Sequence, residues 1–191
     1  ATQKDFEKIP GSPIGYWLTK AIIESFSRKN ISMSGISSPG VRTGRDSIFI
    51  KYWFEISFEK IRLDCTNEDC LNSPLFTWYP ITRGGEFRKW YGNLFYVVEA
   101  GNNFQRVKEI CHDHRLRDSD YYFKQGVTWT MITTKPSFRI SPKGVLYGNG
   151  GPVLFNNINL YTIGFLNSKV SQSVLQLLNP TMNVTKSDID K

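Results

Sequence analysis

Val127-Thr128-Trp129-Thr130-Met131-Ile132-Thr133 is followed by three more short apolar runs, Ser137-Phe138-Arg139-Ile140, Val145-Leu146-Tyr147 and Val153-Leu154-Phe155. Pro136, Gly144 and the glycines and proline of residues 148–152 separate them. Runs this short, rich in β-branched and aromatic residues and bounded by Gly or Pro, read as strands. Downstream the period changes: Leu160, Ile163, Phe165, Leu166, Val170, Val174, Leu177 and Leu178 recur every three or four residues until Asn179-Pro180 forbids continuation, which predicts one or two helices. Upstream, Phe95–Val98 and the Ile-, Phe-, Tyr- and Trp-rich stretch Ser47–Phe58 read as further strands, and the Ser/Gly-rich stretch Ile31–Arg45 as a loop. Ser12 as N-cap, Pro13 at the first helical position and Ile14, Trp17, Leu18, Ala21, Ile22 and Phe26 at helical spacing predict an N-terminal helix reaching Ser27 or Arg28. The order helix, strands, helices is α+β: several short, mostly antiparallel or mixed strands in a curved sheet, flanked by an N-terminal helix and C-terminal helices. No internal repeat or linker divides residues 1–191, so one domain is expected.

Composition narrows the function classes. At 40% hydrophobic and 21% charged, the 191 residues resemble a soluble globular protein, not a disordered or fibrous one. The uncharged stretch from Gly144 to Ser168 is too rich in Gly and Asn for a membrane span, and Ala1–Pro10 lacks the pattern of a secretory signal. Three cysteines, an odd number and too few for a disulfide scaffold, suit reduced thiols, so a cytoplasmic location is expected. The net charge of +7 is uneven: residues 1–60 carry +3, residues 61–120 carry −1 and residues 121–191 carry +5. Lys124, Lys135, Arg139, Lys143 and Lys169 therefore suggest a basic face that favours polyanions.

Several chemistries have no support. The chain has no Gly-x-x-x-x-Gly-Lys-Ser/Thr loop, no Gly-x-Gly-x-x-Gly turn and no Gly-x-Ser-x-Gly elbow. Its two histidines, His112 and His114, lie in a charged segment read as a loop, no acidic residue stands two positions before a lysine as in many metal-dependent nucleases, and no paired carboxylates for metal-assisted hydrolysis are visible. Cys65, Cys70 and Cys111 with a histidine have the ligand chemistry zinc prefers, but their spacing is not that of a zinc knuckle, so no metal is expected.

The richest candidate stretch is Trp78-Tyr79-Pro80-Ile81-Thr82-Arg83-Gly84-Gly85-Glu86-Phe87-Arg88-Lys89-Trp90-Tyr91-Gly92-Asn93. Arg forks onto phosphate or guanine, backbone amides at Gly84 and Gly85 can approach phosphate, and Asn93 can pair with adenine. The competing reading is a glycine turn between two strands, with Trp78, Trp90 and Tyr91 in the core. A second candidate, Lys124-Gln125-Gly126-Val127-Thr128-Trp129-Thr130, offers Gln and Thr to bases, or is simply a turn entering a strand.

Taken in order, Asp5–Trp17, Thr43-Gly44-Arg45-Asp46, Gly84–Asn93, Phe138–Gly144, Leu166–Val170 and Leu178–Thr181 resemble the C-terminal part of the PglX family. These are adenine-specific DNA methyltransferases of BREX phage-defence systems, and related restriction-modification methylases share the pattern. The resemblance implies a target-recognition domain that grips duplex DNA while a separate N-terminal domain binds S-adenosylmethionine and flips and methylates the base. Residues 1–12 would be the connection from that domain. The family's Asn-Pro-Pro-Tyr motif is absent, since Asn179-Pro180 continues with Thr181, so no catalytic residue and no cofactor are expected in this chain, which should be inactive alone. Expected DNA contacts are Arg83, Gly84, Gly85, Arg88, Lys89, Asn93, Lys124, Thr128, Arg139 and Lys143: the cations on phosphate or guanine, Asn93 and Thr128 on base edges, with Trp90 buttressing the loop. The alternatives are a module docking other defence-system proteins and, with least support, an independent metal-dependent nuclease.

Overall fold

A computed structural model describes residues 3–28, 30–33, 35–156 and 159–191, apart from the side chain of Asn159. Ala1 and Thr2 of the expected connection, Ser34 of the expected loop and Asn157 of the uncharged stretch lie outside the described residues. In chain order the elements are α1 (Gln3–Phe6), α2 (Lys20–Ser25), β1 (Gly35–Ser38), α3 (Asp46–Phe49), β2 (Ile50–Tyr52), β3 (Trp78–Thr82), β4 (Tyr96–Glu99), α4 (Gly101–Ile110), β5 (Gly126–Trp129), β6 (Phe138–Ser141), β7 (Leu146–Tyr147), β8 (Val153–Asn156), α5 (Asn159–Leu166), α6 (Lys169–Leu178) and α7 (Lys186–Asp190). The class is α+β, with helices at both ends.

The strands divide into two four-stranded sheets. One, in the order β1-β8-β5-β6, is antiparallel throughout; the other, β2-β4-β3-β7, is mixed, with β7 parallel to β3. Strand periodicity explains how they pack. Val127 and Trp129 of β5, Leu154 of β8 and Phe138 of β6 point to one face, where Ile163, Leu166 and Leu175 of α5 and α6 cover them. Val153 and Phe155 of β8 point to the other face and join a second core with Tyr79, Ile81, Val98, Phe104 and Val107 around the mixed sheet and α4. The first sheet is thus covered on both faces, which is why β5 is buried along its whole length. The chain crosses between sheets at Gly148–Gly151. There the Gly151 carbonyl accepts hydrogen bonds from Thr82 Oγ1 (2.8 Å) and Thr128 Oγ1 (3.3 Å), one from each sheet.

Three expectations differ from the structure. The N-terminal helix is confined to α2, capped by Thr19, whose Oγ1 accepts from the Ile22 N–H. Gly11 and Ser12 both take positive φ (86° and 48°), which excludes the extended cap conformation; Ile14 and Trp17 remain exposed, while Leu18 and Phe26 of the same pattern pack against Ile9, Ile23 and Leu177. The stretch Ser47–Phe58 holds the short α3, three residues of strand and two 3-10 turns, because Asp46 starts a helical turn and accepts from Thr43 Oγ1 (2.6 Å). Within the stretch expected to be a loop, Gly35–Ser38 pairs with β8 as an edge strand. No described helix is long and apolar enough to cross a membrane.

Candidate nucleic-acid interface

The connection from β3 to β4, residues 83–95, leaves the mixed sheet and closes on the free edge of the other. Trp90 N–H donates to Phe138 O and Ile140 N–H donates to Trp90 O, both at 2.9 Å, so this connection covers the edge of β6. Glycines permit the approach. A Cβ on Gly84 would lie 2.8 Å from the Gly150 carbonyl, and Gly85 takes a φ of 129°. Asn93, itself left-handed at φ 58° and 5% exposed, donates from Nδ2 to Glu86 O at 3.0 Å and ties the two ends of the loop together.

Side chains from the other sheet brace the loop from below. Arg88 N–H donates to Ser137 Oγ, and Lys89 Nζ donates to Asn167 O at 2.8 Å. The Asn167 amide both accepts from Phe138 N–H (3.0 Å) and donates to Phe138 O (2.9 Å), fixing the same strand from the junction of α5 and α6. Thr130 Oγ1 donates to Gly85 O at 3.1 Å. Arg139, on the inner face of β6 and 1% exposed, reaches Thr130 Oγ1, Ser137 Oγ and Arg88 O at 3.3–3.4 Å, while its Nε has no hydrogen-bond partner. Burial, and then the neighbouring Arg88, lowers its pKa to about 10, so it is still charged at neutral pH.

The expected site residues fall into three groups. Arg83, Gly84, Gly85, Arg88, Lys89, Asn93 and Arg139 meet in and beneath the loop. Lys124 and Lys143 are exposed at the opposite end of the β5–β6 pair, where Gly126 faces Ser141. Thr128 is buried between the sheets with its hydroxyl on Gly151 O. Within the first group, Arg83 is paired with Asp46 at 2.9 Å and lies over the Tyr96 ring. Arg88 is exposed, lies across Gly92 towards Phe95, and has no carboxylate partner among the described residues. The rings of Trp90 and Tyr91 are 54% and 62% exposed, so neither is in the core; Trp90 holds the loop through its main chain instead. Two contributors were not singled out from sequence: Phe87, which carries Lys135 Nζ 4.3 Å over its ring, and Asn167, which anchors the loop from a helix terminus. Nothing local to either residue signals this, because both partners lie about fifty or more positions away.

Other chemistry is limited. Cys65 and Cys111 are buried and Cys70 is half-buried; burial, and then hydrogen bonding to Cys70, pushes the Cys65 thiol well above its usual range. Among the described residues no group of three or more His, Cys, Asp or Glu could hold a metal ion. A cavity of about 360 Å³ on the outer face of the mixed sheet is walled by Trp53, Phe58, Leu63, Pro80 and Val97, with Phe54 exposed beside it.

No protein-family model matches the chain. It is 36% identical over 193 residues to the adenine-specific methyltransferase PglX of Lacticaseibacillus casei (strain Zhang), an alignment covering 95% of this chain and 16% of that protein. It is likewise 36% identical over 199 residues to the adenine-specific methyltransferase BrxX of Escherichia coli O9:H4 (strain HS), covering 99% of this chain and 15% of that protein. The chain is thus homologous to these methyltransferases along nearly all of its own length and spans about one sixth of theirs.

Proposed function

We propose that this homologue of a segment of the PglX and BrxX methyltransferases is the target-recognition domain of a bacterial, cytoplasmic adenine-specific DNA methyltransferase. Residues 1–191 act as one domain that binds duplex DNA through the 83–93 loop, and residues 1–12 connect it to the methyltransferase portion. The observation that supports this best is the loop itself. It is braced by side chains of the opposite sheet and presents Arg88 and the exposed rings of Phe87, Trp90 and Tyr91, with Lys135 of the β5–β6 connection over the Phe87 ring, and among the described residues no carboxylate is ion-paired with either cation. A rigid support holding free cations outward is what phosphate gripping and guanine readout need.

In this reading Arg88 and Lys135 contact DNA directly. Lys89, Asn93 and Arg139 build the loop, Arg83 joins it to α3, and Thr128 joins the two sheets. Lys124 and Lys143 offer a second, separate phosphate contact. Methyl transfer belongs to the rest of the enzyme. The amide of Asn179, which precedes Pro180, is held by Asn183 O and Asp188.

A pool of random duplexes retained at low and moderate salt tests the proposal. Enrichment of a short adenine-containing motif, with affinity falling as salt rises, is the expected result. Arg88→Ala should weaken binding: a loss uniform across sequences marks a phosphate contact, and relaxation at one base pair marks direct readout. Absence of binding at either salt would refute the proposal and favour a second reading, the docking of another defence-system protein on the apolar outer face at Trp53, Phe54, Phe58 and Leu63. Such an interface would be nearly insensitive to salt.

A further inference from the structure

Arg139 is unusual for a buried charge. It is 1% exposed, no carboxylate among the described residues pairs with it, and its three hydrogen bonds, all 3.3 Å or longer, run to neutral oxygens. Its Nε has no partner, and the nearest charge that influences it is another cation, Arg88. A buried guanidinium in this setting is costly, and a neutral side chain of similar volume fills such a position as well or better. The fold alone therefore does not account for a cation here. Two of its neighbours do not depend on it: Ser137 Oγ also accepts from Arg88 N–H, and Thr130 Oγ1 also donates to Gly85 O.

We propose that Arg139 is the positioning residue of a phosphate site formed by the loop: from the inner face of β6 it holds the Arg88 carbonyl, and supplies from beneath a positive field that a phosphodiester seated at Arg88 neutralises. This deepens the DNA-binding reading and rests on it. The cost of the buried charge is carried by the free protein and is recovered when the anion arrives. Stability and binding should therefore respond to Arg139 in opposite directions, which a purely structural arginine cannot produce.

The test compares the wild-type chain with Arg139→Met, Arg139→Lys and Arg88→Ala, measuring melting temperature and the salt dependence of binding to one duplex. Arg139→Met should melt at the wild-type temperature or higher, bind roughly tenfold more weakly or worse, and show a salt slope smaller by about one. Arg139→Lys should keep the salt slope while losing affinity through poorer support of the loop. A Met variant that fails to fold, or whose binding is unchanged, overturns the proposal. Melting in inorganic phosphate separates this outcome from failure of the DNA reading. If the wild type binds no duplex but phosphate raises its melting temperature and leaves Arg139→Met unmoved, the anion site stands and the DNA reading falls. If duplex binds equally to both proteins, the reverse holds.

Discussion

Replacing Asn93 separates a loop strut from a base reader, the role its residue type suggests. Its Nδ2 donates to Glu86 O at 3.0 Å across the loop, and it holds a φ of 58° that only Gly, Asn and Asp adopt readily. Asn93→Ala loses the hydrogen bond, about 1 kcal/mol, and forces a Cβ without a compensating polar contact into left-handed backbone, a further cost of about 1–2 kcal/mol. The expected loss is about 2–3 kcal/mol, or a fall of several degrees in melting temperature for a chain of this size. Asn93→Gly keeps the backbone conformation and loses only the bond, with a small entropic penalty in the unfolded chain, so it should lie between wild type and Ala. Urea unfolding of the three proteins measures the order, and duplex binding measured on several sequences should weaken uniformly in both variants. Full stability in Asn93→Ala together with relaxed preference at one base pair would refute the strut and make Asn93 a reader.

Two further predictions concern α7 and the thiols. Burial alone would raise the pKa of Asp188, but hydrogen bonds from Asn179 and Thr185, with Lys191 nearby, together hold it below the usual carboxylate range. Its contribution is therefore fully present above the unfolded value of about 4 and lost as pH falls through the lower folded value; Asp188→Asn should cost about 1 kcal/mol at neutral pH and flatten the acid limb of a stability-versus-pH curve. Of the three thiols, half-buried Cys70 should react first with an aromatic disulfide reagent in the native state, with Cys65 and Cys111 reacting only on unfolding. Two or more fast equivalents in the native protein would contradict the packing described here.

Much of the architecture follows from local chemistry. The runs at 137–140, 145–147 and 153–155 hold β6, β7 and β8, and that at 127–133 holds β5 only as far as Trp129, because β-branched and aromatic residues between Gly and Pro leave the chain few alternatives; the three-to-four-residue spacing after Leu160 leads to α5 and α6. The order and composition of the motifs also sufficed to indicate homology to adenine-specific methyltransferases. What could not be seen was any feature whose cause lies far along the chain. The α+β class did not reveal that the strands form two sheets, because strand pairing depends on which faces find a core, and a Ser/Gly-rich segment such as Gly35–Ser38 becomes a strand only when the edge of β8 is free to pair.

The same limit governs the site. Arg88, Gly84, Gly85 and Lys89 sit within six residues of one another, so their concentration of charge and flexibility was legible as a candidate from sequence. Whether a polar side chain faces solvent or its own backbone is decided in three dimensions. Asn93 and Thr128 have the residue types of base readers, yet their hydrogen-bonding groups are used on Glu86 O and Gly151 O. Arg139 reads as one more surface cation because its strand is short and flanked by polar residues. Only the closure of a loop from the second sheet over the edge of β6 buries it, leaving a charge without a counter-ion next to Arg88. Sequence therefore fixed the local elements and the inventory of groups, whose physics is short in range. Tertiary structure decided which of those groups remain free to act, since burial and pairing depend on how loops and strands from different parts of the chain close on one another.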